Sequence, residues 1–241
     1  LNKALAQAGV CSRRAADELI RSGRVTVNGQ PADLGTPVRP GQDDIRVDGK
    51  PIGSPAPDTD LYFVLNKPVE TVTTVKDPEG RRTVVELLGD EALRRRIFPV
   101  GRLDYFSEGL LILTSDGELA NRLMHPRWHL PKLYWVTLRG DVREDALTQM
   151  RSGMTLAEGE RLAPVKARIV GKDPRGTVLE MELIQGVNRQ IRRMCRDLDL
   201  TILKLVRISQ GPLKLGKLPV GAYRPLLPEE VAALKAAVDL R

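Results

Sequence analysis

Aromatic side chains are scarce in this sequence: three Phe, two Trp and four Tyr are spread over 241 residues. Stacking on a flat ligand must therefore rest on very few positions. Cysteine is scarcer still. Cys11 and Cys195 lie far apart, which gives neither a disulfide framework nor the Cys/His spacing of a zinc site, and points to a reducing cytoplasm. His125 and His129 are four residues apart, but Pro126 breaks the helix that would align them, so no metal is expected. No apolar run approaches the ~20 residues of a membrane span. Nothing resembles a signal peptide, and a soluble cytoplasmic protein with no membrane partner is expected. A Gly-x-Gly-x-x-Gly turn and a Gly-Lys-Ser/Thr phosphate loop are missing too, which argues against a dinucleotide enzyme or an NTPase. No cofactor is expected, so side chains must do the chemistry.

What is present is basic charge, and it is concentrated. Lys and Arg outnumber Asp and Glu by 38 to 31, a net charge of +7. The stretch from Gly186 to Lys217 alone holds eight Lys or Arg against two Asp. Such a cluster suits a polyanionic partner, although a solvated charged face is the plain alternative.

The composition supports one full core and a small satellite domain. Leu1 to Ala8 reads as a short helix stopped by Gly9, and Ser12 as the N-cap of a second helix, Arg13 to Ser22. Arg13 and Arg14 fall in its first turn, where the helix dipole disfavours cations, so phosphate contact explains them better than local stability does. Strands follow at Arg24 to Val27, with an Asn28-Gly29 turn, and at Ile45 to Val47 and Lys50 to Ile52. Residues 53–60, rich in Pro, Gly and Ser, read as a linker between a domain at 1–52 and a domain at 61–241. In the larger domain, strands are expected at Tyr62 to Leu65, Arg96 to Val100, Leu110 to Thr114, Tyr134 to Leu138, Val165 to Val170 and Thr177 to Ile184. Helices are expected at Glu118 to Met124, Glu144 to Arg151 and from Pro228. The class is α+β, strand-dominated.

Two segments carry candidate chemistry. Gly101-Arg102-Leu103-Asp104 hangs one carboxylate on a loop between two apolar strands, where Asp104 is either a turn residue paired with Arg102 or a functional group. A glycosidase pair of Asp104 with Glu108 is a weak alternative, because one loop does not give opposed faces. The second segment is Asn188 to Leu198. With Asn188 as N-cap, Ile191, Met194, Cys195 and Leu198 make a buried helical stripe. On a wheel of ~100° per residue, Arg189, Arg193 and Arg196 lie roughly 150 to 170° from its centre and Arg192 about 110°. Arg192 therefore borders the interior, where it can meet a carboxylate, while its neighbours face phosphates.

The run Gly101-Arg102-Leu103-Asp104, then Gly109 to Thr114 and Asp116-Gly117, resembles the signature of the RsuA branch of bacterial RNA pseudouridine synthases. Leu65-Asn66-Lys67-Pro68, Lys132-Leu133-Tyr134 and Asn188-Arg189-Gln190-Ile191-Arg192-Arg193-Met194 resemble the family's other motifs in order, and the opening residues resemble an S4 RNA-binding module. Ser107 and Val187 stand where the family often has Thr and a basic residue.

The resemblance implies a small S4-like domain and a catalytic domain of pseudouridine synthase type, with a mixed, mainly antiparallel sheet. It implies isomerisation of a uridine in ribosomal RNA, with large-subunit 23S RNA favoured over 16S. The protein would meet rRNA or a ribosomal assembly intermediate as a monomer. It marks Asp104 as catalytic, with Arg192 and Tyr134 beside it, and Leu205 as a wall of the uracil pocket. Arg102, Asn188, Arg189, Arg193 and Lys67 would bind substrate, with Arg13 and Arg14 on the S4-like module. By pattern alone Tyr134 is equally a core aromatic, and Leu205 an ordinary strand residue. A non-catalytic RNA-binding assembly factor is the alternative of a different class.

Overall fold

Ser12 acts as an N-cap should: its hydroxyl accepts from the Ala15 amide at 3.2 Å and starts a helix at Arg13. In the computed structural model, which describes residues 1–53, 60–90, 92 and 95–240, the chain divides into two compact units, Leu1–Thr59 and Asp60–Arg241. Of the expected linker, residues 54–59 lie outside the described residues.

The first unit holds α1 (Asn2–Gln7) and α2 (Arg13–Arg21), then β1 (Val25–Val27), β2 (Gln30–Pro31), β3 (Ile45–Val47) and β4 (Lys50–Pro51). The strands order as β2-β1-β3-β4, all antiparallel. Leu5, Ala16, Ile20, Val25 and Ile45 form its core. Arg13 and Arg14 are exposed, whereas Arg24 and Arg46 are held by Asp48 and Asp44.

The second unit contains β5 (Tyr62–Lys67), β6 (Phe98–Val100), β7 (Glu108–Thr114), α3 (Gly117–Met124), β8 (Lys132–Arg139), α4 (Glu144–Ser152), β9 (Lys166–Asp173) and β10 (Gly176–Leu183). It continues with α5 (Gln190–Asp197), β11 (Ile202–Gln210), β12 (Leu213–Lys214), β13 (Tyr223–Pro225) and α6 (Pro228–Ala236). Among the described residues these strands make one sheet of order β13-β5-β7-β11-β8-β10-β9, with β6 on β7 and β12 on β11. Only β7 and β11 run parallel, so the sheet is mixed and mainly antiparallel as expected.

The contiguous apolar run of β7 is explained by burial on both faces. Leu110 and Ile112 join Val64 and the α3 residues Leu119 and Leu123 on one side, while Leu111 and Leu113 join Leu65, Val84, Ile97 and Leu103 on the other. A third cluster packs α4 and α5, through Leu147, Met150, Ile191, Met194 and Cys195, onto Val136, Leu179 and Met181.

Several boundaries differ from the sequence reading. Arg96 has φ 52°, so the strand expected from there begins at Phe98. The helix expected from Glu118 begins at Gly117, because the Asp116 carboxylate accepts from the Glu118 and Leu119 amides and caps α3. The short strands β12 and β13 are additional to the expected ones, and each is set by its pairing, with β11 and with β5.

The parallel junction depends on one glycine. Gly109 stands opposite Arg207, at φ 106°, where an added Cβ would overlap the Arg207 backbone. Positive φ and zero clearance coincide, so Gly109→Ala should cost about 2 to 5 kcal/mol of unfolding free energy by urea titration, as strain and overpacking add. Gly80→Ala, at φ 70° with open space around it, should cost visibly less.

Candidate active site

Asp104 opens a tight turn, Asp104 to Ser107, closed by the Ser107 amide donating to the Asp104 carbonyl at 3.0 Å. Every carbonyl of that turn is taken up. The Nζ of Lys67 donates to the carbonyls of Asp104 at 3.0 Å, Ser107 at 2.9 Å and Pro68 at 2.9 Å. The Tyr105 carbonyl accepts from the Glu70 amide at 2.8 Å, and the Phe106 carbonyl from Arg192 Nη2 at 2.8 Å. Just upstream, Thr73 Oγ1 donates to the Leu103 carbonyl at 2.7 Å. An ammonium has three donors, and here three carbonyls meet them.

Lys67, expected to bind substrate, does not face outward; it is fully buried beneath the turn. Its place at the end of a strand explains why: Lys67 ends β5 opposite Gly109 near the start of β7, so its side chain lies under the loop that leads into β7. Burial pushes the ammonium down to about 8, against the opposing pull of the Asp104 and Glu108 carboxylates. A lone Lys ending the apolar strand Tyr62-Phe63-Val64-Leu65 is the sequence signal for this role.

The Asp104 carboxylate lies between two guanidiniums. Its Oδ2 is 3.4 Å from Arg192 Nε and 3.3 Å from Arg189 Nη1. Arg192 also donates to Ser107 Oγ at 3.1 Å, so it grips the turn and faces the carboxylate together. Burial lowers the Arg192 pKa from its ordinary value, and Asp104 opposes that shift. Glu108 is occupied by Lys204 at 3.1 Å, which removes it as a second free carboxylate.

The helix-wheel expectation holds for Arg192 and needs correction for its neighbours. Asn188 is not the N-cap; Arg189 is, in the left-handed region at φ 50°. Because Arg189 precedes the helix, wheel geometry does not apply to it, and its side chain swings back to Asp104. Arg193, expected to face phosphates, is paired with Glu158 at 3.1 Å and Glu160 at 2.7 Å. Arg102 is exposed.

Tyr134 and Leu205 come to the same region through the sheet. Tyr134 pairs with Arg207, beside the Val206–Glu108 step of the parallel junction. Its ring packs against both the cluster holding Leu205 and the cluster holding Leu103, the residue before Asp104. Leu205 is buried. A carboxylate flanked by cations, an aromatic ring and an apolar wall thus gather where β7 and β11 meet.

Comparison with known proteins gives the family. The family model described as RNA pseudouridylate synthase matches residues 61–197, and the S4 domain model matches residues 1–44. An uncharacterized RNA pseudouridine synthase of Aquifex aeolicus is 44% identical, over 100% of this chain and 95% of the relative. The chain belongs to the RNA pseudouridine synthase family. It is of the RsuA type, with an S4 domain ahead of the catalytic one. Ribosomal large subunit pseudouridine synthase B of Bacillus subtilis is 38% identical to this synthase, over 99% of the chain and 96% of the relative. The dual-specificity RNA pseudouridine synthase RluF of Escherichia coli is 36% identical, over 99% and 79%. A crystal structure of a pseudouridylate synthase superposes with a TM-score of 0.69, at 28% identity, covering 97% of this chain and 98% of that one.

The pinned turn ties stability to pH. The unfolded synthase keeps the Lys67 proton to about pH 10.4, whereas the folded protein releases it near 8. In that window the unfolded state binds more protons, so Lys67 makes the unfolding free energy rise with pH. Urea titrations at pH 7.5 and 9.5 should show the difference between the parent and Lys67→Met growing at the higher pH. Separately, Arg189→Met and Arg192→Met should each reduce turnover, and Arg193→Met should leave it within about threefold because its partners are Glu158 and Glu160. Steady-state kinetics of the three variants compares them directly.

Proposed function

We propose that this synthase converts a specific uridine of ribosomal RNA, in the 23S RNA of the large subunit, into pseudouridine, with Asp104 as the catalytic group. The single observation that carries the site assignment is the Asp104 carboxylate held on a fully pinned turn between Arg189 and Arg192. Similarity along nearly the whole chain to a relative named for the large subunit supports the choice of RNA.

The reaction breaks the N1–C1′ bond, turns the uracil and joins C5 to C1′; the C5 proton leaves and N1 gains one. It needs neither redox change nor hydrolysis, and an ionised carboxylate serves it either by attacking the substrate or by assisting departure of the base. Arg189 and Arg192 keep Asp104 charged where the site loses water. Tyr134 offers a ring for the displaced uracil and a phenol for proton transfer, and Leu205 an apolar wall. Arg102 meets the RNA backbone near the target. Arg13 and Arg14 contact phosphates from the S4 unit, and the partner is free rRNA or an assembly intermediate met by a monomer in the cytoplasm.

Tritium release from transcripts labelled at uridine C5 tests the reading. The 23S transcript should release tritium and the 16S transcript should not, and Asp104→Asn should lower the rate by at least about 100-fold, as losing a positioned catalytic group does. Retention of activity within tenfold would remove Asp104 from the chemistry. For the S4 unit, replacing Arg13 and Arg14 by Ser should flatten the log–log salt dependence of RNA affinity by ~0.7 to 0.9 for each phosphate no longer neutralised.

A further inference from the structure

Arg81, Arg143, Arg151 and Arg168 of the catalytic unit are each drawn to a carboxylate. Arg102 and Arg127 are not. Both are exposed, and among the described residues neither meets an acidic side chain. Arg127 lies on the short 3-10 turn Pro126–Trp128 that follows α3. β7 leads away from the Asp104 loop, α3 leads back, and the Gly101 amide donates to Met124 Sδ at 3.0 Å, so the turn comes to rest beside the start of that loop. It is anchored from below. Leu130 is buried, and the Pro131 carbonyl accepts from the Gly211 amide at 2.8 Å. His125 Nδ1 accepts from the Arg127 amide at 3.1 Å, and the Arg127 guanidinium lies 5.4 Å from the centre of the Trp128 ring. Arg122, 6.0 Å from the same ring, is already engaged: it donates to the Val238 and Asp239 carbonyls and to Glu118.

We infer that Arg127, held against Trp128, neutralises a phosphate of the strand flanking the target uridine, and that with Arg102 it extends the RNA interface from the Asp104 loop onto the turn after α3. Two physical points carry this. A guanidinium already stacked on an aromatic ring loses little freedom when its donors take up a phosphate. Position then decides between RNA and an acidic protein. The chain spans at most ~11 Å from Gly101 to Asp104 and ~11 Å from Met124 to Arg127, so an RNA whose uridine sits at Asp104 brings its own backbone within reach. The carboxylates that neutralise other arginines of this unit leave Arg127 charged where that backbone must pass.

Filter-binding affinity for the 23S transcript is measured against salt concentration for the full chain and for Arg127→Ser, Arg127→Lys and Arg143→Ser, all in an Asp104→Asn background so that no product forms. Arg127→Ser should flatten the log–log slope by ~0.7 to 0.9, the loss of one phosphate contact. Arg127→Lys keeps the charge and should keep the slope. Arg143→Ser removes an exposed arginine that is paired with Asp145 at 3.2 Å and should leave the slope unchanged. Ethylation of phosphates beside the target uridine should weaken binding of the Asp104→Asn chain, and the interference at one of them should vanish when Arg127→Ser is added. An unchanged slope for Arg127→Ser, equal flattening by Arg143→Ser, a loss in Arg127→Lys as large as in Arg127→Ser, or interference relieved only far from the target each overturns the inference. It rests on the Asp104 loop being where the uridine reacts, and that reading fails by a different measurement. If Asp104→Asn keeps tritium release at the parental rate, the site and the inference fall together, whatever the slopes.

Discussion

One buried ammonium organises the loop that carries Asp104. Lys67 carries its charge to the underside of the Asp104 turn and gives all three protons to carbonyls, at distances of 2.9 to 3.0 Å. A buried cation without partners would cost several kcal/mol, so the ammonium and the turn depend on each other. The turn has no regular ladder to hold its carbonyls. Lys67, the Glu70 amide and Arg192 take that place, and the Asp104 carboxylate inherits a rigid base.

The parallel contact of β7 with β11 is the second constraint, and it accounts for where the site lies. Everything around it is antiparallel, so this junction is where two halves of the sheet meet. Gly109 permits the approach, with no Cβ between its backbone and Arg207. The same step brings Tyr134 on β8 and Leu205 on β11 beside the loop preceding β7. Arg207 donates to the Leu110 carbonyl from its buried side chain and ties the two strands further.

Charge count alone misdescribes the surface. The basic stretch after Gly186 has the excess expected of a nucleic-acid contact, yet its arginines divide by task. Arg189 and Arg192 serve the carboxylate, while Arg193 and Arg196 are drawn down by Glu158, Glu160 and Asp197. Glu158 and Glu160, distant in sequence, and the adjacent Asp197 decide which cations remain for RNA.

Much was legible in the sequence because it is local. Ser12 caps its helix through its own hydroxyl, the Asn28-Gly29 turn follows from positive φ, and Ile191, Met194 and Cys195 mark a buried helical face through spacing alone. That face also placed Arg192 at the edge of the interior. What periodicity cannot express, tertiary structure decided. Arg189 turned back to Asp104 because its left-handed backbone lies outside the helix, and Lys67 went inward because three backbone carbonyls gather there to take its protons. Short strands such as β12 and β13 exist only through their partners. Residue types and their spacing fixed which chemistry this chain can carry; the pairing of distant strands decided where the charges point, because a side chain's surroundings are set by neighbours the local sequence does not contain.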